Sequence, residues 1–167
     1  MKTIKRYMLI AFSALTLPAC TLLDTEPQDF ITPDKFYNTQ EELEAALRGV
    51  YMTLADNGLY GMNIPARLGL SADIGYETYD YDSSSVGFYD VSTNDAMVLT
   101  YWRLCYAGIN RANKLLESID RPAIDETVRA RIESEARFLR AYFHFMLVNR
   151  FQNIPMMLKS PKDGYKE

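Results

Sequence analysis

The chain is poor in the residues that most catalytic and metal sites are built from. Its 167 residues contain one histidine, two cysteines and one tryptophan. His144 stands alone on the most apolar stretch, without the partners a metal site or a general base needs. It reads as a hydrogen-bonded core residue. An excess of positive charge is also missing: 18 Lys and Arg against 22 Asp and Glu give a net charge of −4, which repels phosphate backbones and excludes nucleic acid as a partner. The apolar run Tyr7–Leu17 is too short to cross a bilayer as a helix. Asp80-Tyr81-Asp82-Ser83-Ser84 opens like a calcium loop, but it lacks the glycine at the sixth position and has Val91 where the twelfth needs an acid. No two carboxylates form a recognisable acid/base pair. Catalysis is therefore not expected, nor is any cofactor or metal.

The N-terminus carries an export signal. Lys2, Lys5 and Arg6 precede the apolar stretch, and Leu17-Pro18-Ala19-Cys20 closes it. Small residues before a cysteine resemble a bacterial lipobox, so residues 1–19 read as a lipoprotein signal peptide and Cys20 as the lipidated first mature residue. Removing that segment takes away three basic residues and no acid, so the mature charge falls to −7. With Cys20 lipidated, Cys105 has no disulfide partner, and the fold must be held by its core. Residues 20–38 are a polar, proline-broken tether carrying Asp24 and Glu26. At this length the remainder, 39–167, is expected to be a single domain.

Helical signals dominate that remainder. Thr32-Pro33 marks a single turn over 32–37. Thr39 and Glu42 form a capping box that opens a helix over 39–56, with Leu43, Ala46, Leu47, Val50, Tyr51 and Leu54 on one stripe. Asn57-Gly58 stops it, and Gly49 within it is expected to admit a neighbouring helix. Residues 59–92 lose the helical period and read as a long irregular excursion, a kind of segment that is often functional. A second helix is predicted over 95–120, capped by Thr93 or Asn94. Leu99, Trp102, Tyr106, Ile109 and Leu116 form one stripe, and Tyr101, Cys105, Gly108, Ala112 and Leu115 another, so it packs between partners. Trp102 belongs to that core pattern, and Asn110 and Asn113 read as structural hydrogen-bonding groups. The third helix covers 125–151. Its polar first half pairs Arg131 with Glu135 and Glu133 with Arg137, and its second half is apolar on nearly every side and calls for neighbours all round.

The excursion carries the best functional lead. Tyr76, Tyr79, Tyr81, Phe88 and Tyr89 lie among Asp73, Glu77, Asp80, Asp82 and Asp90. Sugars present apolar C–H faces and a rim of hydroxyls, and flat aromatics beside short carboxylates complement both. The candidates are Tyr76, Tyr79 and Tyr81 for stacking, with Asp73 and Glu77 accepting sugar hydroxyls.

Several pieces arrive in a telling order: the lipobox, the Asp24-x-x-Pro27 tether, Phe36-Tyr37, Ala46-Leu-Arg-Gly-Val-Tyr51, Ser71-Ala72-Asp73, Trp102-x-x-x-Tyr106-x-x-Ile109-x-x-x-Asn113 and Phe138-Leu-Arg-Ala141. Together, over residues 17–160, they resemble the SusD/RagB family. One departure is Gln152, where that family places a glycine after the aromatic, which leaves the tightness of that turn open. The resemblance implies an all-α fold with tetratricopeptide-like packing, of which 39–167 is the N-terminal helical region of a longer chain. It also implies a lipoprotein of the outer membrane, facing the cell exterior. Such a protein captures oligo- or polysaccharide and delivers it to a SusC-like TonB-dependent transporter. Capture of peptides by the same architecture is the alternative, and a lipid-anchored glycoside hydrolase the more distant one.

Overall fold

Capping residues and apolar spacing set three helices. The computed structural model describes residues 35–68 and 94–161, all within the compact unit Pro33–Glu167. The helices are α1, Gln40–Leu54; α2, Ala96–Ser118; and α3, Glu126–Phe151. Among the described residues there is no strand. The predicted capping box forms at α1: the Glu42 N–H donates to the Thr39 hydroxyl at 3.2 Å, and the Thr39 N–H returns to Glu42 at 3.3 Å. Asp125 caps α3 through the N–H groups of Thr127 and Val128. Asp95, rather than the expected Thr93 or Asn94, caps α2 through Met97 at 2.7 Å and Val98 at 3.3 Å. Neighbouring polar residues are near-equivalent caps, so periodicity cannot choose between them. The expected turn over 32–37 is described only from Lys35, where the backbone bends without helix and Tyr37 takes a φ of 74°.

The helices run alternately up and down. Tyr101 meets Phe151, Gly108 meets Phe143, and Asn113 meets Arg140, so α2 and α3 are antiparallel. Glu44 meets Arg131 and Tyr60 meets Tyr142, so α1 and the turn after it run parallel with α3. The core joins Leu43, Leu47 and Val50 of α1 to Cys105, Ile109, Ala112 and Leu115 of α2 and Ile132, Leu139, Phe143 and Leu147 of α3. Arg129 ties the α2–α3 turn by donating to the carbonyl of Ile119, the C-cap of α2, and to that of Pro122 in the turn.

Close approach occurs at a different glycine from the one the sequence suggested. A Cβ built on Gly49 meets nothing within 4 Å, and the Gly49 carbonyl instead accepts from Thr53 and Arg111. At Gly108 a Cβ would lie 2.4 Å from the Phe143 ring. The bare backbone there is the slot into which that ring packs.

Other expectations also shift. The α1 stripe turns toward Thr53, which is buried, while Tyr51 sits at the exposed margin. Leu99 is exposed: at its level Thr100 and Leu104 face the Gly58 turn, and Tyr101 and Trp102 take Phe151. The excursion after α1 starts as ordered structure, with Leu59 fully buried and a π-type turn over Asn63–Leu68. Its backbone bonds reach five residues, Gly61 to Asp56 and Ile64 to Leu59, which a search for a 3.6-residue period does not see. On α3, Phe138 and Phe145 are 66% and 61% exposed, so the helix is not wrapped on every side.

After α3 the chain turns at Gln152, whose φ of 59° takes the role a glycine would fill, with its N–H on the Val148 carbonyl at 2.9 Å. The turn is tight despite the substitution. Residues 154–161 then run back without regular structure along α2 and α3. Side chains from the two helices hold this strap by its backbone. Tyr106 donates to the Pro155 carbonyl at 2.8 Å, Asn113 to the Met157 carbonyl at 3.0 Å, and Arg140 to the Leu158 carbonyl at 3.2 Å. The Met157 N–H donates to His144 Nε2 at 3.3 Å, and the Ser160 N–H to Glu117 at 2.7 Å.

Candidate ligand-binding surface

The five predicted contact residues, Asp73, Tyr76, Glu77, Tyr79 and Tyr81, and the predicted lipidation site Cys20 lie outside the described residues.

His144, Asn113 and Cys105 have structural roles, whereas Asn110 Oδ1, expected to be a hydrogen-bonding group, and Ser118 Oγ are buried without a hydrogen-bond partner among the described residues. Because Nε2 of His144 accepts from Met157, the ring proton is on Nδ1, which donates to the Arg140 carbonyl at 2.8 Å. His144 is thus a satisfied core histidine. Asn113 is equally committed, accepting from Arg140 at 2.9 Å while donating to the strap. Burial pushes the Cys105 thiol up to about 12, partly offset by Arg150 and Tyr101, so it stays protonated and inert. Trp102 packs against Tyr106 and Phe151, as its stripe position implies. Among the described residues no group of three or more His, Cys, Asp or Glu could hold a metal ion, and no helix is long and apolar enough to cross a membrane.

Three exposed aromatics, Tyr51, Tyr60 and Phe138, line the seam between α1 and α3, a surface that sequence spacing did not single out. Four residues of α3, Arg131, Glu135, Phe138 and Tyr142, recur at steps of four and three and share one face. Opposite them stand Glu44 and Tyr51 of α1 and Tyr60 of the following turn. The N-terminal end of the seam is charged: Arg131 bridges Glu44 at 2.9 Å and Glu135 at 3.1 Å. The Tyr51 hydroxyl then donates to Glu135 at 2.9 Å. Beyond it the rings of Phe138 and Tyr142 lie 6.3 Å apart at 10°, and those of Tyr142 and Tyr60 6.4 Å apart at 20°, with the two phenol hydroxyls hydrogen-bonded. That bond, with burial, pushes the Tyr142 phenol up to about 12, and burial followed by the contact with Glu135 raises Tyr51. The phenols of these two residues are therefore neutral at physiological pH. By sequence Tyr60 falls in the irregular excursion, and Phe138 and Tyr142 fall in the apolar half of the third helix. Only the juxtaposition of two helices distant in sequence reveals the surface.

Comparison with known proteins agrees with the helical architecture. A SusD-like family described as "Starch-binding associating with outer membrane" matches residues 22–167. SusD-like protein P2 of Formosa agariphila is 28% identical over 144 residues, covering 84% of this chain and 28% of the relative. SusD-like protein P25 of the same organism is 28% identical over 162 residues, covering 89% of this chain and 30% of that protein. A SusD-like protein of Bacteroides ovatus is 24% identical over 148 residues, covering 86% of this chain and 27% of the relative. The chain thus spans less than a third of the length of these curated relatives. No solved structure matches it. Three helices in the order that capping and spacing set, and a family match running from residue 22 through the strap, place this chain in the SusD/RagB family of SusD-like proteins.

Proposed function

We propose that this protein is a surface lipoprotein that binds glycan and passes captured oligo- or polysaccharide to a SusC-like TonB-dependent transporter. The observation that carries the reading is the match over residues 22–167 to a family described by starch binding and outer-membrane association. The role is binding rather than catalysis. Cys20 would carry the lipid anchor, holding the protein on the outer membrane facing the exterior, at about 0.8 kcal/mol per buried methylene. Tyr76, Tyr79 and Tyr81 would stack on sugar faces, with Asp73 and Glu77 accepting hydroxyls. In a chain of the relatives' length, the α2–α3 hairpin would be one unit of a tetratricopeptide-like stack.

The test uses the intact protein in its own membrane. Cys20→Ala should move it from the membrane fraction to the soluble one, and a tagged wild-type protein should co-purify with a TonB-dependent transporter. Replacing the five loop residues by alanine should weaken oligosaccharide binding without changing the melting temperature. Membrane retention of Cys20→Ala would remove the anchor from this reading. Unchanged affinity in the five-residue variant would put sugar contact elsewhere in the protein.

A further inference from the structure

We infer that the seam between α1 and α3 is a second carbohydrate-contact surface, with Tyr60, Tyr142 and Phe138 lying under the apolar faces of sugar units and the Glu44–Arg131–Glu135 rim meeting their hydroxyls. The inference rests on the glycan-binding reading above and adds a location that reading does not contain.

Ring geometry is the first argument. In the core, aromatic pairs tilt or meet edge-on: Trp102 and Phe151 at 89°, Trp102 and Tyr106 at 50°, Tyr101 and Phe151 at 49°. That is how rings fill a volume. On the seam the successive angles are 10° and 20°, with Phe138 and Tyr60 both exposed. Stacked rings in a row whose end members, Phe138 and Tyr60, are both exposed offer flat apolar surface to an outside partner. Order in the free protein is the second argument. The Tyr60–Tyr142 hydroxyl bond and the anchoring of Tyr51 on Glu135 hold the phenols before any ligand arrives, which lowers the entropy cost of binding.

Chemistry at the charged end is the third. Arg131, Glu135 and Glu44 are partly exposed, with side-chain accessibilities of 49%, 33% and 32%. Their mutual ion pairs fix a small array of donors and acceptors beside the rings. A purely apolar partner would leave that array desolvated at a cost, whereas hydroxyls of a saccharide can join it. From Arg131 to Tyr142 the strip extends roughly 16 Å along the helix, enough for several sugar units in a row. Phe145 and Val148, further along α3, lack such a rim and are not included.

The experiment is affinity electrophoresis of the intact mature protein through gels containing soluble starch, xylan, pectin or mannan. Wild type is expected to be retarded by at least one. Tyr60→Ala and Phe138→Ala should each weaken retardation in that glycan by about fivefold, while Tyr60→Phe, which keeps the ring and loses the hydroxyl bond to Tyr142, should weaken it by less. Both positions are exposed, so melting temperatures should not move. Equal retardation of wild type and the alanine variants overturns the seam and leaves the general glycan reading standing. Absence of retardation of wild type in every gel overturns both. Alanine variants that keep full glycan affinity but lose self-association or transporter co-purification would show the seam to be a protein contact and overturn the inference.

Discussion

Gly108 decides how closely α2 and α3 can pack. Alanine is ordinarily better than glycine inside a helix by about 1 kcal/mol. Here the new methyl would sit 2.4 Å from a fully buried Phe143 ring with no room to retreat. Overpacking of that kind costs about 1–3 kcal/mol and outweighs the helical gain. Gly108→Ala should therefore lower the melting temperature, and Phe143→Leu in the same chain should recover part of the loss. An additive drop in the double variant would count against the clash. Gln152 poses the opposite case. A φ of 59° is strained for a residue with a Cβ, so Gln152→Gly should raise stability by about 0.5–1 kcal/mol, and Gln152→Val should lower it by at least as much. Thermal unfolding of both variants gives the sign. The tightness of that turn was open in the sequence because an unusual residue was known to stand there, and its backbone angle was not.

Element boundaries were largely legible. The predicted ranges 39–56, 95–120 and 125–151 become Gln40–Leu54, Ala96–Ser118 and Glu126–Phe151. Caps and stripes are local signals, and tertiary packing changed only their margins: Asp95 caps α2, and the stripe members Tyr51 and Leu99 lie exposed. Both predicted i,i+4 pairs, Arg131–Glu135 and Glu133–Arg137, also form. The π-type turn and the strap were not legible. One has a period outside the usual pair, and the other has no regular structure at all. The strap makes a testable claim about pH. Burial would raise the Glu117 carboxyl, but the hydrogen bonds from Ser160, with Lys114 and Lys159 nearby, outweigh it and hold the group below its ordinary value of 4.5. A depressed carboxylate stabilises the fold above that value and loses the contribution as pH falls through its lower folded value. The end of the strap should therefore loosen on acidification below 4.5. The Ser160 amide shift should report this by NMR, and Glu117→Gln should remove its titration. A Ser160 signal indifferent to pH in wild type would refute the assignment.

At the scale of the whole molecule α2 is the central element, packed against both α1 and α3. Its stripe Tyr101, Cys105, Gly108, Ala112 and Leu115 is buried throughout, as its two-sided pattern predicted. Hydrogen exchange should be slowest in the middle of α2 and faster in α1, whose buried residues Leu43, Leu47, Val50 and Thr53 lie on a single face. Protection that peaks in α1 would contradict the arrangement. The candidate site was less legible than the core, because the seam joins α1 to a helix some ninety residues on, a proximity no local window contains. The strap holds a further consequence for how this protein can change over generations. Its route is specified upstream, in Tyr106, Asn113, Glu117, Arg140 and His144, and these side chains grip peptide groups that every residue possesses. Met156, Leu158 and Lys159 point to solvent and carry little of the instruction. Mutational drift should therefore be cheap at Met156, Leu158 and Lys159, and costly at Ile154 and Met157, which pack on the core, at Ser160, whose hydroxyl also bonds Glu117, and at the distant helix positions that read the strap.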